Sequence, residues 1–508
     1  MQKAAAMKSL KESSANQNRI MKSGTAFFYR CLALLSGVTA LAMLVPLVLS
    51  AALKEWEMVF AFAFPSGITL CVVLLVVYLS RNSKTEIEAS RALLLVCFAW
   101  FASCLLGAMP FYFSGFCDSL TDAFFESASG FSTTGATIFT DVEALPRSLL
   151  FWRAMTQWLG GMGMVVLIVA LTPLIGTGAF QLFRAEAPGP DKGKITPRIN
   201  ATARMFWLIY VALTALAALL FVIGGMPWFD ALCHAFSTIS TGGFSGRNSG
   251  IAAYNSPWIE WVCLVFMIIA AFNFNLILRL IRGKGREILK NSEARAYGGI
   301  ILVAGIACTC VIFPGIRGQT VSLATAIGES TRRALFQSVS ILSTTGFSVT
   351  DHRLWPSFAQ GVLFFLMFIG GCSSSTAGGI KVIRHVILFK QTRNELHRQL
   401  YPRGVFSIQI DKREGQKSIV HGVAGFFFLY FALVMTAAIF VSSAGTDIFS
   451  SINIGLLVTG NIGLGIVSGS MQNALYNMPN YVKWALSFIM IAGRLELWTI
   501  FALFYRRN

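Results

Sequence analysis

Three strings of small hydroxyl residues and glycine hold the chemistry this chain can do: Thr133-Thr134-Gly135, Thr241-Gly242-Gly243 and Thr344-Thr345-Gly346. What they offer is backbone. Glycine permits positive φ, so successive carbonyl oxygens can turn to one side of the chain. A ring of such oxygens can replace the water shell of a dehydrated cation. One string supplies a quarter of a ring, and four supply a cage. The fourth candidate is Asn461-Ile462-Gly463, which has a different side-chain pattern.

The strings occupy equivalent places in a tandem repeat. Gly135, Gly243, Gly346 and Gly463 follow one another at 108, 103 and 117 residues. Thirteen positions before the glycine stand Asp122, Asp230 and Arg333; twelve before, Ala123, Ala231 and Ala334. Nine before stand Glu126, His234 and Gln337; six before, Ser129, Ser237 and Ser340. The fourth copy matches in place rather than detail, with its acid, Asp447, three positions further upstream. Columns at fixed offsets argue for repetition. Each string is expected to close a helix of about 12–17 residues, too short to cross a membrane. That helix is expected to start near an Asp whose carboxylate caps its free amides, and its negative dipole end faces the string. Irregular backbone after it is tolerated in lipid only inside protein or around water.

The surroundings are those of a polytopic membrane protein. Of 508 residues, 55% are hydrophobic and 13% charged, with a mean hydropathy of +0.66, about half the charge of a soluble domain. Ten full spans are expected, at about 27–53, 59–80, 92–113, 149–176, 203–225, 258–282, 297–315, 359–384, 419–444 and 480–505. The net charge of +18 lies mostly in residues 1–30, 81–91, 180–204, 279–295, 381–417 and the C-terminal end. That alternation places these loops and both termini in the cytoplasm, against anionic lipid headgroups, and excludes nucleic acid as the partner. The ten cysteines form no CxxC pair and read as packing residues. The polar, basic stretch from Met1 to Met21 reads as a mobile tail.

Two features interrupt the spans. The eighth contains Gly370-Gly371-Cys372-Ser373-Ser374-Ser375-Thr376-Ala377-Gly378-Gly379, which cannot hold a lipid-facing helix together. It fits a small-residue helix contact or an unwound loop lining a pore below the filter. Arg494, with Glu496 two positions on, lies within the last span, where an ionisable residue is costly and faces a partner or a cavity. It fits a snorkelling or packing arginine, or a cationic barrier beneath the filter.

Taken together, FSTTGAT (131–137), FWRAMTQWLGGMGMVVL (151–167), STGGFS (240–245), LSTTGFS (342–348), GGCSSSTAGGIKVIRH (370–385), GNIGLG (460–465) and AGRLELWT (492–499) resemble the Trk/Ktr/HKT superfamily of potassium transporters, bacterial TrkH/TrkG type. The resemblance implies an all-α polytopic membrane protein with four tandem M1–pore helix–M2 repeats around one pseudo-fourfold pore, plus two extra N-terminal transmembrane helices. The organisation expected is a cytoplasmic tail 1–26, an extra two-helix unit 27–80, pore repeats 92–176, 203–282, 297–384 and 419–508, and a basic cytoplasmic loop 385–418. It identifies the four glycines as filter glycines binding K⁺ as the transported ion, with no organic cofactor. Gly135, where sodium-favouring members carry Ser, leans toward potassium; Asn-x-Gly is common in the fourth filter. The resemblance identifies 370–379 as the intramembrane gate and supports Arg494 as its barrier. It further implies uptake across the bacterial inner membrane, a homodimer, and cytoplasmic nucleotide-binding subunits of the TrkA (RCK) kind. The chain itself carries no G-x-G-x-x-G after a strand.

Smaller features read plainly. His234 and Gln337 are expected to make polar contacts behind the filter. Lys381 and Arg384 are expected to be positive-inside anchors, and Trp152, Trp158, Trp228, Trp258 and Trp261 interfacial residues. Asp141, Asp351 and Glu329 are placed on the outer side. A cation-coupled (H⁺ or Na⁺) potassium symporter is the alternative mechanism. A solute transporter with inverted repeats is disfavoured by the common orientation of the copies, and an enzyme by spans without catalytic groups.

Overall fold

The structure, a computed structural model, describes residues 2–81, 89–163, 199–318, 322–401, 408–410, 413–415, 417–463, 471–495 and 497. Residues 164–176 of the fourth expected span, 498–505 of the last, loop residues 180–198, Gly465 and Glu496 lie outside the described residues.

Among the described residues the regular secondary structure is helical apart from one ribbon in the basic loop. Helices α1 (Gln2–Ala52) and α2 (Trp56–Leu79) form an antiparallel pair. The stretch expected to be a mobile tail continues α1 as helix, in keeping with its Ala, Lys, Leu and Gln content. The first repeat comprises α3 (Ala89–Phe113), α4 (Leu120–Phe131) and α5 (Arg147–Gly161); the second α6 (Ile199–Ile223), α7 (Trp228–Ile239), α8 (Pro257–Ala270) and α9 (Phe274–Ile281). After a short α10 (Arg286–Lys290), the third has α11 (Ser292–Arg317), α12 (Leu323–Leu342), α13 (Ser357–Leu366) and α14 (Val382–Leu400). Strands β1 (Ile408–Ile410) and β2 (Arg413–Gly415) pair antiparallel. The fourth repeat has α15 (Lys417–Ser442), α16 (Ile448–Gly460), a short α17 (Met471–Tyr476) and α18 (Asn480–Arg494).

Among the described residues, six helices are long and apolar enough to cross a membrane: Thr25–Ala52 of α1, α2, Leu94–Phe113 of α3, Thr202–Ile223 of α6, α11, and Ile419–Ser442 of α15. The expected continuous span 258–282 is instead broken. Helices α8 and α9 meet at 100°, and Asn273 caps the new helix by accepting from the Asn275 amide at 2.9 Å. In each repeat the second, shorter helix (α4, α7, α12, α16) packs against the first.

Two expectations about those short helices change. Helix α12 runs 20 residues, beyond the expected 12–17, so Arg333 lies mid-helix rather than at a start. Only Asp447 caps as expected, accepting from the Ser450 amide at 2.9 Å. Helix α4 is capped by Ser119, which accepts from the Asp122 amide at 3.2 Å. That leaves Asp122 free to take the Lys483 ammonium at 2.6 Å, both side chains buried. Asp230 instead accepts from Tyr254 and Arg247.

Candidate ion filter and gate

After each short helix the chain makes the same turn. Thr133, Thr241, Thr344 and Asn461 sit at φ of 57°, 56°, 56° and 54°; Gly135, Gly243, Gly346 and Gly463 at 78°, 79°, 81° and 77°. Asn tolerates this left-handed region, but a β-branched Thr there is an outlier that surrounding structure must hold. The amide between them reaches back five residues each time: Thr134 to Ser129 O, Gly242 to Ser237 O and Thr345 to Ser340 O at 2.9 Å, Ile462 to Leu457 O at 3.0 Å. The fourth string, unlike the others in side chains, is their backbone equal.

The turns touch in ring order. A methyl group on Gly463 would strike Thr134 O, one on Gly135 would strike Gly242 O, and one on Gly243 would strike Thr345 O. Asn461 Nδ2 adds a 2.7 Å hydrogen bond to Thr134 Oγ1, joining turns four and one. All four glycines line one cavity of about 620 Å³. Thr133, Thr134, Thr241, Gly242, Thr344, Thr345, Asn461 and Ile462 are buried around them.

Polar groups behind the turns brace them. Arg153 and Glu126 form a buried pair at 2.8 Å, and Arg153 Nη1 reaches Ser245 O at 3.1 Å. His234 Nε2 pairs with Ser245 Oγ at 3.0 Å, and Gln337 accepts from Ser348 at 3.3 Å. Of the acids expected on the outer side, Asp351 lines the cavity; the Arg353 guanidinium bonded to it holds its carboxyl below the usual carboxylate value. The Asn248 amide does the same for Asp141.

Residues 370–379 form an unwound loop, not a kinked helix, between α13 and α14. Ser374 (φ 53°) and Gly379 (φ 66°) are left-handed. The loop lies against the turns: the Gly378 amide donates to Thr344 Oγ1 at 2.7 Å, and a methyl group on Gly378 would strike Gly460 O. Thr376 Oγ1 donates to Ile239 O at 3.1 Å and Ala270 O at 3.0 Å. The Cys372 amide donates to Ala271 O at 2.9 Å, so the carbonyls orphaned by the α8–α9 break are satisfied by the loop. Arg494 donates to Thr376 O at 2.7 Å, Gly160 O at 3.0 Å and Gly161 O at 3.1 Å.

Some expected assignments change. Lys381 and Arg384 are buried, not surface anchors: Lys381 donates to Ala377 O in the loop, and Arg384 lies 3.7 Å from the Phe426 ring centroid. Trp152 is buried and donates to Gly107 O at 3.0 Å, and half-buried Trp158 donates to Thr214 at 3.2 Å; Trp228, Trp258 and Trp261 are exposed. Sequence reasoning did not single out Glu293. It is buried, accepts from the Ser373 amide at 2.6 Å and hydroxyl at 2.9 Å, and accepts from Asn273 at 3.2 Å.

Known proteins share this plan. A family model described as "TrkH: Cation transport protein" matches residues 59–507. The "Trk system potassium uptake protein TrkH" of Salmonella typhimurium is 38% identical over 429 residues, covering 84% of this chain and 87% of that protein. Its namesake from Halomonas elongata is 36% identical over 482 residues, covering 94% and 97%. The crystal structure of the potassium transporter TrkH from Vibrio parahaemolyticus superposes with a TM-score of 0.82 at 32% identity, covering 94% of this chain and 98% of that one. This chain therefore belongs to the TrkH family of cation transport proteins, multi-pass membrane proteins that are transporters and not enzymes.

Proposed function

We propose that the chain is the pore subunit of a potassium uptake system in the bacterial inner membrane, with both termini cytoplasmic. The four M1–pore helix–M2 repeats surround one pseudo-fourfold pore, and α1 and α2 are the extra unit. K⁺ is the bound and transported ion, held by the backbone oxygens of Thr133-Thr134-Gly135, Thr241-Gly242-Gly243, Thr344-Thr345-Gly346 and Asn461-Ile462-Gly463. One observation carries this reading: four glycines, more than a hundred residues apart along the chain, line the same cavity. The names of the relatives, potassium uptake proteins, support the choice of ion.

The loop with Gly370, Gly371, Ser373, Ser374, Ser375, Gly378 and Gly379, together with Arg494, closes the path below the filter. Its bonds to turn three and to the end of α7, and its close packing against Gly460 at the end of α16, support that role. Opening is driven by cytoplasmic nucleotide-binding subunits of the RCK kind docking on the basic loops 279–295 and 390–417, and the pore works as a homodimer. The test is flux or current recording on purified protein with K⁺, Rb⁺ and Na⁺. K⁺ and Rb⁺ are expected to pass in preference to Na⁺. Ohmic unitary currents identify a channel, and a dependence on H⁺ or Na⁺ gradients identifies a symporter. Equal passage of all three ions defeats the potassium reading.

A further inference from the structure

We infer that Gln157, together with Gly242, sets ion selectivity at the second turn, an inference that rests on the potassium-filter reading above. The second turn departs from its neighbours at its middle position, where Gly242 replaces Thr134, Thr345 and Ile462. In turns one and three the threonine hydroxyl braces the turn from within. Thr134 Oγ1 pairs with Ser132 Oγ at 2.6 Å, and Thr345 Oγ1 with Ser343 Oγ at 2.8 Å. Ser240 stands in the corresponding place of turn two, and Gly242 has no hydroxyl to offer it.

The second turn is braced from outside instead. Gln157 comes from α5 of the first repeat and is fully buried. Its Nε2 donates to Gly242 O at 2.7 Å, and its Oε1 accepts from the Phe244 amide at 3.0 Å. One end group must therefore donate and accept at once. A carboxamide does both, glutamate only accepts, lysine only donates, and leucine does neither. The two residues also share space, since a Cβ on Gly242 would land on the Gln157 amide group. Glutamine at 157 and a side chain at 242 exclude each other. The pair is one unit, filling from a neighbouring repeat the room that threonine fills in turns one and three.

The consequence is for selectivity more than for folding. Gln157 spans Gly243, bonded to the carbonyl before it and the amide after it, and so fixes how that peptide presents its oxygens. A filter distinguishes K⁺ from Na⁺ by the number and spacing of carbonyl oxygens it holds apart. An unbraced turn lets those oxygens close on the smaller ion.

The experiment compares K⁺/Na⁺ permeability ratios of the purified full chain in lipid bilayers. Gln157→Ala is expected to lower the ratio about tenfold while ions still pass, and Gln157→Glu to lower it as well. The double variant Gln157→Ala/Gly242→Thr rebuilds the internal Ser–Thr brace with Ser240 and is expected to return the ratio toward wild type. An unchanged ratio in Gln157→Ala overturns the inference, as does a double variant no more selective than the single one. If Gln157→Ala yields no monodisperse protein, Gln157→Glu is read in its place by the same criterion. A wild-type chain passing K⁺ and Na⁺ equally defeats the filter reading itself. A selective wild type beside an equally selective Gln157→Ala defeats only this inference.

Discussion

Arg494 donates Nη1 to the Thr376 carbonyl at 2.7 Å while its Nη2 holds Gly160 O at 3.0 Å. One guanidinium thus ties the loop of the third repeat to the C-terminal end of α5 in the first. Hydrogen bonds from a charged donor are worth about 1.5–3 kcal/mol each, and each 1.4 kcal/mol is about tenfold in a population. Arg494→Ala is therefore expected to raise flux through the closed protein about tenfold or more. Arg494→Lys, which keeps the charge but not the fork, is expected to fall between. Rubidium uptake into proteoliposomes without regulatory subunits is the measurement, and wild-type leak in Arg494→Ala would rule out the latch.

Glu293 holds the opposite side of the same loop through the Ser373 amide and hydroxyl, and holds the α8–α9 corner through Asn273. Glu293→Gln keeps the shape and removes the charge, weakening bonds to an ionised acceptor by about half. It is expected to raise leak flux several-fold without changing the K⁺/Na⁺ ratio. Combined with Arg494→Ala, the effect is expected to be non-additive, because both act on one loop. A strictly additive pair would mean two separate gates.

The glycines of the proposed filter are expected to be intolerant for two reasons at once. Gly243 has φ of 79°, and a methyl group there meets the Thr345 carbonyl. The left-handed backbone alone costs about 1–2 kcal/mol with a Cβ. Gly243→Ala is expected to abolish potassium uptake in a transport-deficient cell while the protein still reaches the membrane, as scored by growth on limiting K⁺ and immunoblot.

The Asp122–Lys483 pair joins the short helix of repeat one to α18 of repeat four, and Trp484 adds a bond to Thr121 at 3.0 Å. Removing one member of a buried pair costs about 3–5 kcal/mol, whereas an apolar replacement of both can be neutral. Lys483→Met is expected to lower the detergent melting temperature by several degrees. The double variant with Asp122→Leu is expected to recover much of that. No recovery would point to a role beyond pairing.

At the rim of the cavity that holds the four glycines, Arg353 lowers the Asp351 carboxyl below its usual 3.8. A depressed folded-state value means that the stabilisation is complete above 3.8 and fades as pH falls through the lower value. Wild type and Asp351→Asn are expected to show parallel flux profiles from pH 8 to 5 and to diverge only below about pH 4. A step near pH 6 that Asp351→Asn removes would contradict this.

What could be read from the sequence is what the backbone demands locally. Gly135, Gly243 and Gly346 announce left-handed turns by residue type, and fixed columns before them announce the repeat. Asn461 carried the same signal more faintly, since Asn is the side chain that best tolerates positive φ, yet its neighbours hid the match. The ten small residues of 370–379 left a small-residue helix contact or an unwound loop open, and the chain forms the loop. Partners joined across the fold were illegible: Gln157 meets Gly242 at a separation of 85 residues, Ser373 meets Glu293 at 80, and Lys483 meets Asp122 at 361. No local pattern encodes which acid a buried lysine will find. The α8–α9 corner escaped notice because Ala-Phe-Asn contains neither glycine nor proline; Asn273 caps the new helix with its side chain.

The carbonyls of Ala270 and Ala271 at that corner are covered by the loop's own donors, Thr376 and Cys372. When the loop withdraws, those oxygens lose their partners in an otherwise oily interior. Something must solvate them, and only water is small and polar enough. On the gate reading proposed above, opening is then expected to begin with water reaching these oxygens before any ion moves. On the same reading, high osmotic pressure from excluded solutes is expected to hold the path shut even when Arg494 is replaced.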